Sequence, residues 1–251
     1  MKAIVLTYDR QIGCAELLYK MYMDKWNDCP LTFRIPWNEN KPSYFTGKSN
    51  VELMHCKSPI RETMASLLED IEPDEFVFWC IDDRFPKEIL DFQELNKLHH
   101  LLEASGLEYH YDAVKLCKWF GRKNVAMKNW QNSVDSELSF NLLGREYDVQ
   151  VTNYAWGFYH HQFCKAKVLK ALFLSDYLSD NYKLKGKGGL HTELVHGNSL
   201  QGLKMLSPRV NNVTFGEPLT NGRLTPEGLS YLAEYDCKIP EYGSTDIDKI
   251  F

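Results

Sequence analysis

The chain has 251 residues and a mass of 29.3 kDa, with 44% hydrophobic and 25% charged residues. That balance suits a globular protein with one large core and excludes disordered or fibrous classes. The net charge of −5 and isoelectric point of about 5.9 argue against a nucleic-acid-binding surface. The seven cysteines show neither CxxC nor zinc spacing, and no apolar run approaches the ~18 residues of a membrane span. A reducing, cytoplasmic location is expected.

The chain opens with a buried strand, Lys2 to Leu6, that ends in the polar run Thr7-Tyr8-Asp9-Arg10. A helix is predicted from about Cys14 to Trp26, with Leu17, Leu18, Met21 and Tyr22 at helical spacing. Leu31 to Ile35 alternates as a second strand, stopped at Pro36. Strand, helix, strand is a right-handed βαβ unit, the start of a nucleotide-binding half. Residues 37–50 read as a loop. Ser58 and Pro59 mark the start of a helix running to about Ile71.

The central stretch follows. Phe76 to Ile81 is a short, non-alternating run of aromatic and β-branched residues, the pattern of a strand buried on both faces. It ends in the adjacent carboxylates Asp82 and Asp83. Ligands in open α/β sheets bind beyond the carboxyl ends of the strands. An Asp pair there can hold Mg²⁺ or Mn²⁺ against a substrate diphosphate. The other reading open at this point is that Asp83 caps the next helix and Asp82 is solvated.

A helix is predicted from about Pro86 to Ala104, then one or two strands between Tyr109 and Trp119, and a loop or lid over Gly121 to Ser139. Tyr147 to Thr152 alternates as a half-buried strand, and His161 to Tyr177 has the spacing of a helix. Adjacent His160 and His161 at a helix start would diverge, which discounts them as a metal pair. Lys183 to Gly189 is a basic, glycine-rich turn leading into His191-Thr192-Glu193, where Thr192 can cap a short helix. Val210 to Phe215 reads as a late strand, and Thr225-Pro226 opens a last helix to about Tyr235.

In this order the residues resemble a GT-A-type glycosyltransferase of bacterial or viral surface-polysaccharide clusters. The resemblance rests on Thr7-Tyr8-Asp9-Arg10 after the first strand, on Ile81-Asp82-Asp83 as a DxD-type motif, and on Gly188 to Glu193 and the Asn221-Gly222-Arg223-Leu224 loop. The pair is Asp-Asp and not the spaced Asp-x-Asp. The resemblance implies an α/β, Rossmann-like fold with a central, mostly parallel sheet flanked by helices and a smaller C-terminal acceptor-side region. Residues 1–120 would bind the nucleotide sugar and residues 121–251 the acceptor.

It also implies roles. Thr7, Tyr8, Asp9 and Arg10 would contact the nucleobase and ribose. Asp83 would hold Mn²⁺ or Mg²⁺, with Asp82 beside it as a second ligand or orienting sugar hydroxyls. Glu193 would be the general base of an inverting, hexosyl-type transfer, with His191 and His196 as alternatives. Arg61 and Arg223 join Arg10 and the lysines at 183, 185 and 187 as candidate phosphate contacts. Trp130 and Trp156 could stack on a sugar or simply fill the core. The expected partners are a nucleotide-sugar donor and a glycan or lipid-linked acceptor, compatible with peripheral membrane association and without nucleic acid. Two other classes compete: a non-catalytic nucleotide- or sugar-binding protein of the same fold, and a Mg²⁺-dependent nucleotidyltransferase or phosphohydrolase. No Gly-rich phosphate loop or Gly-x-Ser-x-Gly elbow is present, which turns phosphate binding towards a metal and side chains.

Overall fold

A computed structural model describes residues 1–58, 60–104, 111–117, 134–152, 160–174, 202–220 and 223–240. The core is a nine-stranded sheet. Its strands are β1 (Lys2–Leu6), β2 (Thr32–Trp37), β3 (Val51–His55), β4 (Phe76–Ile81), β6 (Ala113–Lys115), β7 (Val134–Leu142), β8 (Arg145–Thr152), β9 (Gln162–Lys165) and β10 (Leu203–Pro208). They lie in the order β3-β2-β1-β4-β9-β6-β10-β8-β7. The pairings run β3, β2, β1, β4, β6, β10 and β7 in one direction and only β9 and β8 in reverse, so the sheet is mostly parallel. It takes strands from both halves of the chain.

The non-alternating sequence of β4 follows from its place. On one face Phe78 and Cys80 join Ala3 and Val5 of β1 beneath α1 (Ile12–Lys25) and α3 (Phe92–Glu103). On the other, Val77, Trp79 and Ile81 join Ile4 beneath α2 (Ile60–Leu67) and α4 (Ala166–Phe173). Both faces are apolar because both are covered. Phe78, fully buried, meets Tyr22, Trp26 and Phe163 in edge-on contacts, and burial of such a ring stabilises by about 1.5–3 kcal/mol.

Several expectations are corrected. β2 continues through Pro36. Thr32 donates its N–H to Met1, while Phe33 donates to Asn50 and Trp37 accepts from Cys56. Even-numbered residues of β2 therefore face β1 and odd ones face β3. Pro36 lacks a donor only on the β1 side, where pairing stops at Ile4 with Arg34. The β3 ladder runs on to Trp37 with His55.

β3 itself follows the stretch read as loop and has no counterpart in the sequence reading. It is the edge strand and carries the exposed Glu52 and His55. The helix expected from Pro86 is instead a strand, β5 (Phe85–Ile89), paired antiparallel with β11 (Val213–Gly216). Helix α3 starts later, capped by Asp91, whose carboxylate accepts from the Glu94 N–H at 2.9 Å. The predicted helix from His161 begins as strand β9, and only Ala166 onward is helical. β10 has no counterpart in the sequence reading.

After the β12–β13 hairpin (Leu219–Thr220, Arg223–Leu224), α5 (Pro226–Glu234) packs Leu232 against Leu17 and Met21 of α1 and Phe85. Thr225 caps it as expected, accepting from Gly228 N–H at 2.8 Å. Lys20 of α1 donates to the carbonyls of Tyr235 and Asp236 at 2.7 and 2.8 Å. Beyond that turn the chain passes so close to Gly13 that a Cβ there would stand 1.7 Å from the Lys238 carbonyl oxygen. Among the described residues, no helix is long and apolar enough to cross a membrane.

Candidate active site

The chain leaves β1 for β2 and β3 on one side, then returns with β4 on the other. The carboxyl ends of β1 and β4 thus flank the point where strand order reverses, where a crevice opens in such sheets. Thr7 follows β1 and Asp82 follows β4. Across that crevice the Thr7 hydroxyl donates to Asp82 Oδ2 at 2.7 Å, and the Asp82 N–H donates to the Leu6 carbonyl at 3.3 Å.

At Ile81 the strand ends in a turn, closed by the Arg84 N–H on the Ile81 carbonyl at 3.2 Å. The turn frees the two carboxylates from the strict alternation of a strand. The same carbonyl accepts from His161 Nε2 at 2.9 Å. His161 is fully buried, and its Nδ1 in turn accepts from the Tyr22 hydroxyl at 2.7 Å. Burial holds the ring neutral with a pKa of about 3, and the Ile81 carbonyl, which can only accept, then fixes the Nε2–H tautomer. His161 is a buttress behind the Asp pair, joining α1, β4 and β9.

The two carboxylates differ. Asp82 is 6% exposed. Burial pushes its carboxyl well above the usual carboxylate range; the Thr7 hydrogen bond opposes this and the Asp83 charge adds to it. The Asp83 side chain keeps 40% of its surface open, yet its Oδ1 is enclosed and has no hydrogen-bond partner. Burial raises Asp83 too, with Arg84 opposing and Glu217 reinforcing. Arg84 Nη1 stands 3.9 Å from Asp83 Oδ1, too far to bond; it donates instead to the Asp83 carbonyl at 3.0 Å, and Nη2 pairs with Glu217 at 3.0 Å.

The site therefore brings two adjacent carboxylates together, Asp82 buried and held by Thr7, and Asp83 with one enclosed oxygen that accepts no hydrogen bond. That donor set, with an enclosed orphan oxygen, fits a divalent cation that prefers oxygen ligands. No helix follows Asp83, so the helix-cap alternative is removed.

Neighbouring groups are drawn in from distant sequence. His160 has both ring nitrogens enclosed without a hydrogen-bond partner. Burial, with the Arg84 and Lys115 charges, lowers its pKa to about 4. Burial likewise lowers Lys115, at the end of β6, to about 8. Cys14, in the first turn of α1, is close enough that both Asp charges add to the effect of burial in raising its thiol.

Asp9 is committed elsewhere. Its carboxylate accepts from the N–H groups of Asn38, Glu39 and Asn40 at 2.7–2.8 Å, fixing the loop after β2. Burial alone would raise its pKa, but these donors hold it below the usual range. Asn38 continues the network to the Cys56 carbonyl at 2.8 Å, and the Trp37 and His55 rings stack on each other with centroids 4.3 Å apart. Tyr8 leads into the short 3-10 turn Asp9–Gln11, and Arg10 is exposed on it. Arg61, in the first turn of α2, donates to the Leu174 carbonyl at 3.1 Å. Arg223 is exposed on the β12–β13 hairpin.

Glu193, His191 and His196 lie outside the described residues, as do Trp130, Trp156 and the lysines at 183, 185 and 187. The sequence reading missed Lys115, Asn38 and the Trp37–His55 stack, and weighed His161 only as half of a discounted metal pair. The available signal was the short Val51-Glu52-Leu53 alternation, which places a strand end, and hence ring and amide groups, at this edge.

No protein-family model and no curated protein matches the chain. Solved structures with a similar fold are a galactosyltransferase, LgtC, with donor and acceptor sugar analogues (12% identity over 82% of this chain and 73% of that one, TM-score 0.44) and IspD, the 2-C-methyl-D-erythritol 4-phosphate cytidylyltransferase of Francisella tularensis (9%, 93% and 98%, 0.45). A third is S. aureus TarS 1-349 (15%, 83% and 58%, 0.43).

Proposed function

We propose that the protein is a metal-dependent transferase of the GT-A type, moving a sugar from a nucleotide-sugar donor to a glycan or lipid-linked acceptor. The observation that carries this reading is the Asp82–Asp83 pair at the crevice between β1 and β4, with the Asp83 Oδ1 enclosed and accepting no hydrogen bond. Asp83, with its unpartnered Oδ1, is the first candidate to hold Mn²⁺ or Mg²⁺, and Asp82 the second. When bound, such a cation supplies Lewis-acid neutralisation of a leaving diphosphate.

The chain's own residues have the remaining work. Thr7 fixes the orientation of Asp82. Asp9 holds loop 38–40, and with it the Trp37–His55 stack, where a nucleobase could lie. Exposed Arg10 can reach a phosphate from the same edge. Glu193 is proposed on sequence grounds as the base that takes the acceptor proton.

The test is thermal stability against nucleoside diphosphates and sugar nucleotides, with and without Mn²⁺. Ligand at 100 times its dissociation constant adds about 2.7 kcal/mol, a shift of about 5–10 °C for a chain of this size. The expected result is a Mn²⁺-dependent shift with one nucleotide class, abolished in Asp83→Asn. A shift that survives Asp83→Asn, or none with any nucleotide, removes the reading. Glu193→Gln should retain the shift and lose transfer.

A further inference from the structure

A second set of metal-type ligands lies at the opposite end of the sheet. The last turns of α3 carry His99, His100 and Glu103, and one donor atom from each lies within 4.8 Å of the others. His99 and Glu103 are one helical turn apart, with Nε2 and Oε1 at 3.4 Å. The His99 side chain is 3% exposed, yet neither ring nitrogen has a hydrogen-bond partner. A buried imidazole with neither nitrogen in a well-formed hydrogen bond, and one facing a carboxylate, is uncommon in a folded protein. His100 and Glu103 are exposed and leave the cluster open to solvent.

We propose that His99, His100 and Glu103 form a zinc site, with solvent in the fourth position. Two imidazoles and one carboxylate suit zinc better than magnesium or manganese. Donors at about 2.0–2.2 Å from a tetrahedral ion stand about 3.5 Å apart; although His99 and His100 are adjacent, Glu103 is one turn on from both, and the three donor atoms already lie within 4.8 Å. Glu103 also pairs with the Met1 ammonium, so zinc competes with that ion pair for the carboxylate. Met1 lies at the start of β1, and five strand residues at about 3.3 Å each separate it from Thr7. The ion is therefore a staple at the foot of α3, remote from the reaction.

The experiment uses the full chain, stripped with EDTA and titrated with zinc chloride by calorimetry and thermal shift. Wild type is expected to take up zinc with a Tm rise of about 5–10 °C at 100 times the dissociation constant. His100→Ala and Glu103→Gln, both at exposed positions, should keep a folded chain in EDTA and bind zinc at least tenfold more weakly. Asp83→Asn should bind it as wild type does. Zinc binding unchanged in His100→Ala, zinc binding lost in Asp83→Asn, or none in wild type overturns the proposal. The nucleotide test above is unaffected by any of these results.

Discussion

Asp82→Asn should make the protein more stable while removing a ligand of the proposed site. Asp82 is 6% exposed and its folded pKa lies well above the ordinary value, which is about 3.9 in an unfolded chain. Between those two values the folded state holds the proton and the unfolded state has released it. Stability then falls with rising pH by about 1.4 kcal/mol per unit, and levels off above the folded pKa. Asparagine keeps the volume and an oxygen to accept from Thr7, and has no such slope.

With about 2–4 °C of Tm per kcal/mol, the variant should gain about 3–5 °C over wild type for each pH unit climbed, then hold a plateau. Calorimetric scans from pH 4 to 8 in EDTA would read this, and the pH of the plateau reports the folded pKa. His160 and His161 titrate in both proteins, so the difference isolates the carboxylate. Parallel curves, or a wild type more stable at pH 8, would refute the reasoning.

His161→Ala should cost about 3–5 kcal/mol in urea unfolding, because it opens a cavity and leaves the Tyr22 hydroxyl with one partner fewer; a loss below 1 kcal/mol would remove its buttress role. The folded His161 stays neutral down to about pH 3 while the unfolded ring protonates near 6.5, so wild-type stability should fall as pH drops through that window, and less steeply in His161→Gln. Asp9→Asn should lower Tm by a few degrees at pH 7 through weakened capping of loop 38–40, the difference from wild type shrinking as pH falls from about 3.9, where the unfolded carboxylate gains its proton, through the lower folded pKa. Gly13→Ala places a methyl against the Lys238 carbonyl. It should cost about 1–3 kcal/mol and speed proteolysis after α5, and an unchanged digestion pattern would contradict the contact.

The strands that hold the Asp pair were legible because their signal is local. β1 and β4 are apolar on both faces, and Asp82–Asp83 follows β4 directly. β5 was hidden by Pro86, which also reads as a first helical residue and is tolerated here in a two-stranded ribbon. The true start of α3 was spelled by Asp91-Phe92-Gln93-Glu94, a capping pattern that the earlier proline overshadowed. β9 was masked because Phe163, Val168, Leu169 and Leu172 share helical spacing across a strand–helix boundary. The site's support could not be read locally at all: Thr7 meets Asp82 across 75 residues, and Tyr22 meets His161 across 139. Those meetings are set by strand order, which only the assembled sheet decides.

Pro36 sits where β1 and β2 part company while β2 and β3 stay paired. An amino acid with an amide hydrogen would let β1 and β2 zip one rung further towards their carboxyl ends. The imino acid stops that rung without disturbing the one to β3. The gap so left is where the Asp9 turn enters to grasp the loop beyond β2. The mouth of the site is thus set by a missing hydrogen, and engineering its width starts at position 36 and not in the loops.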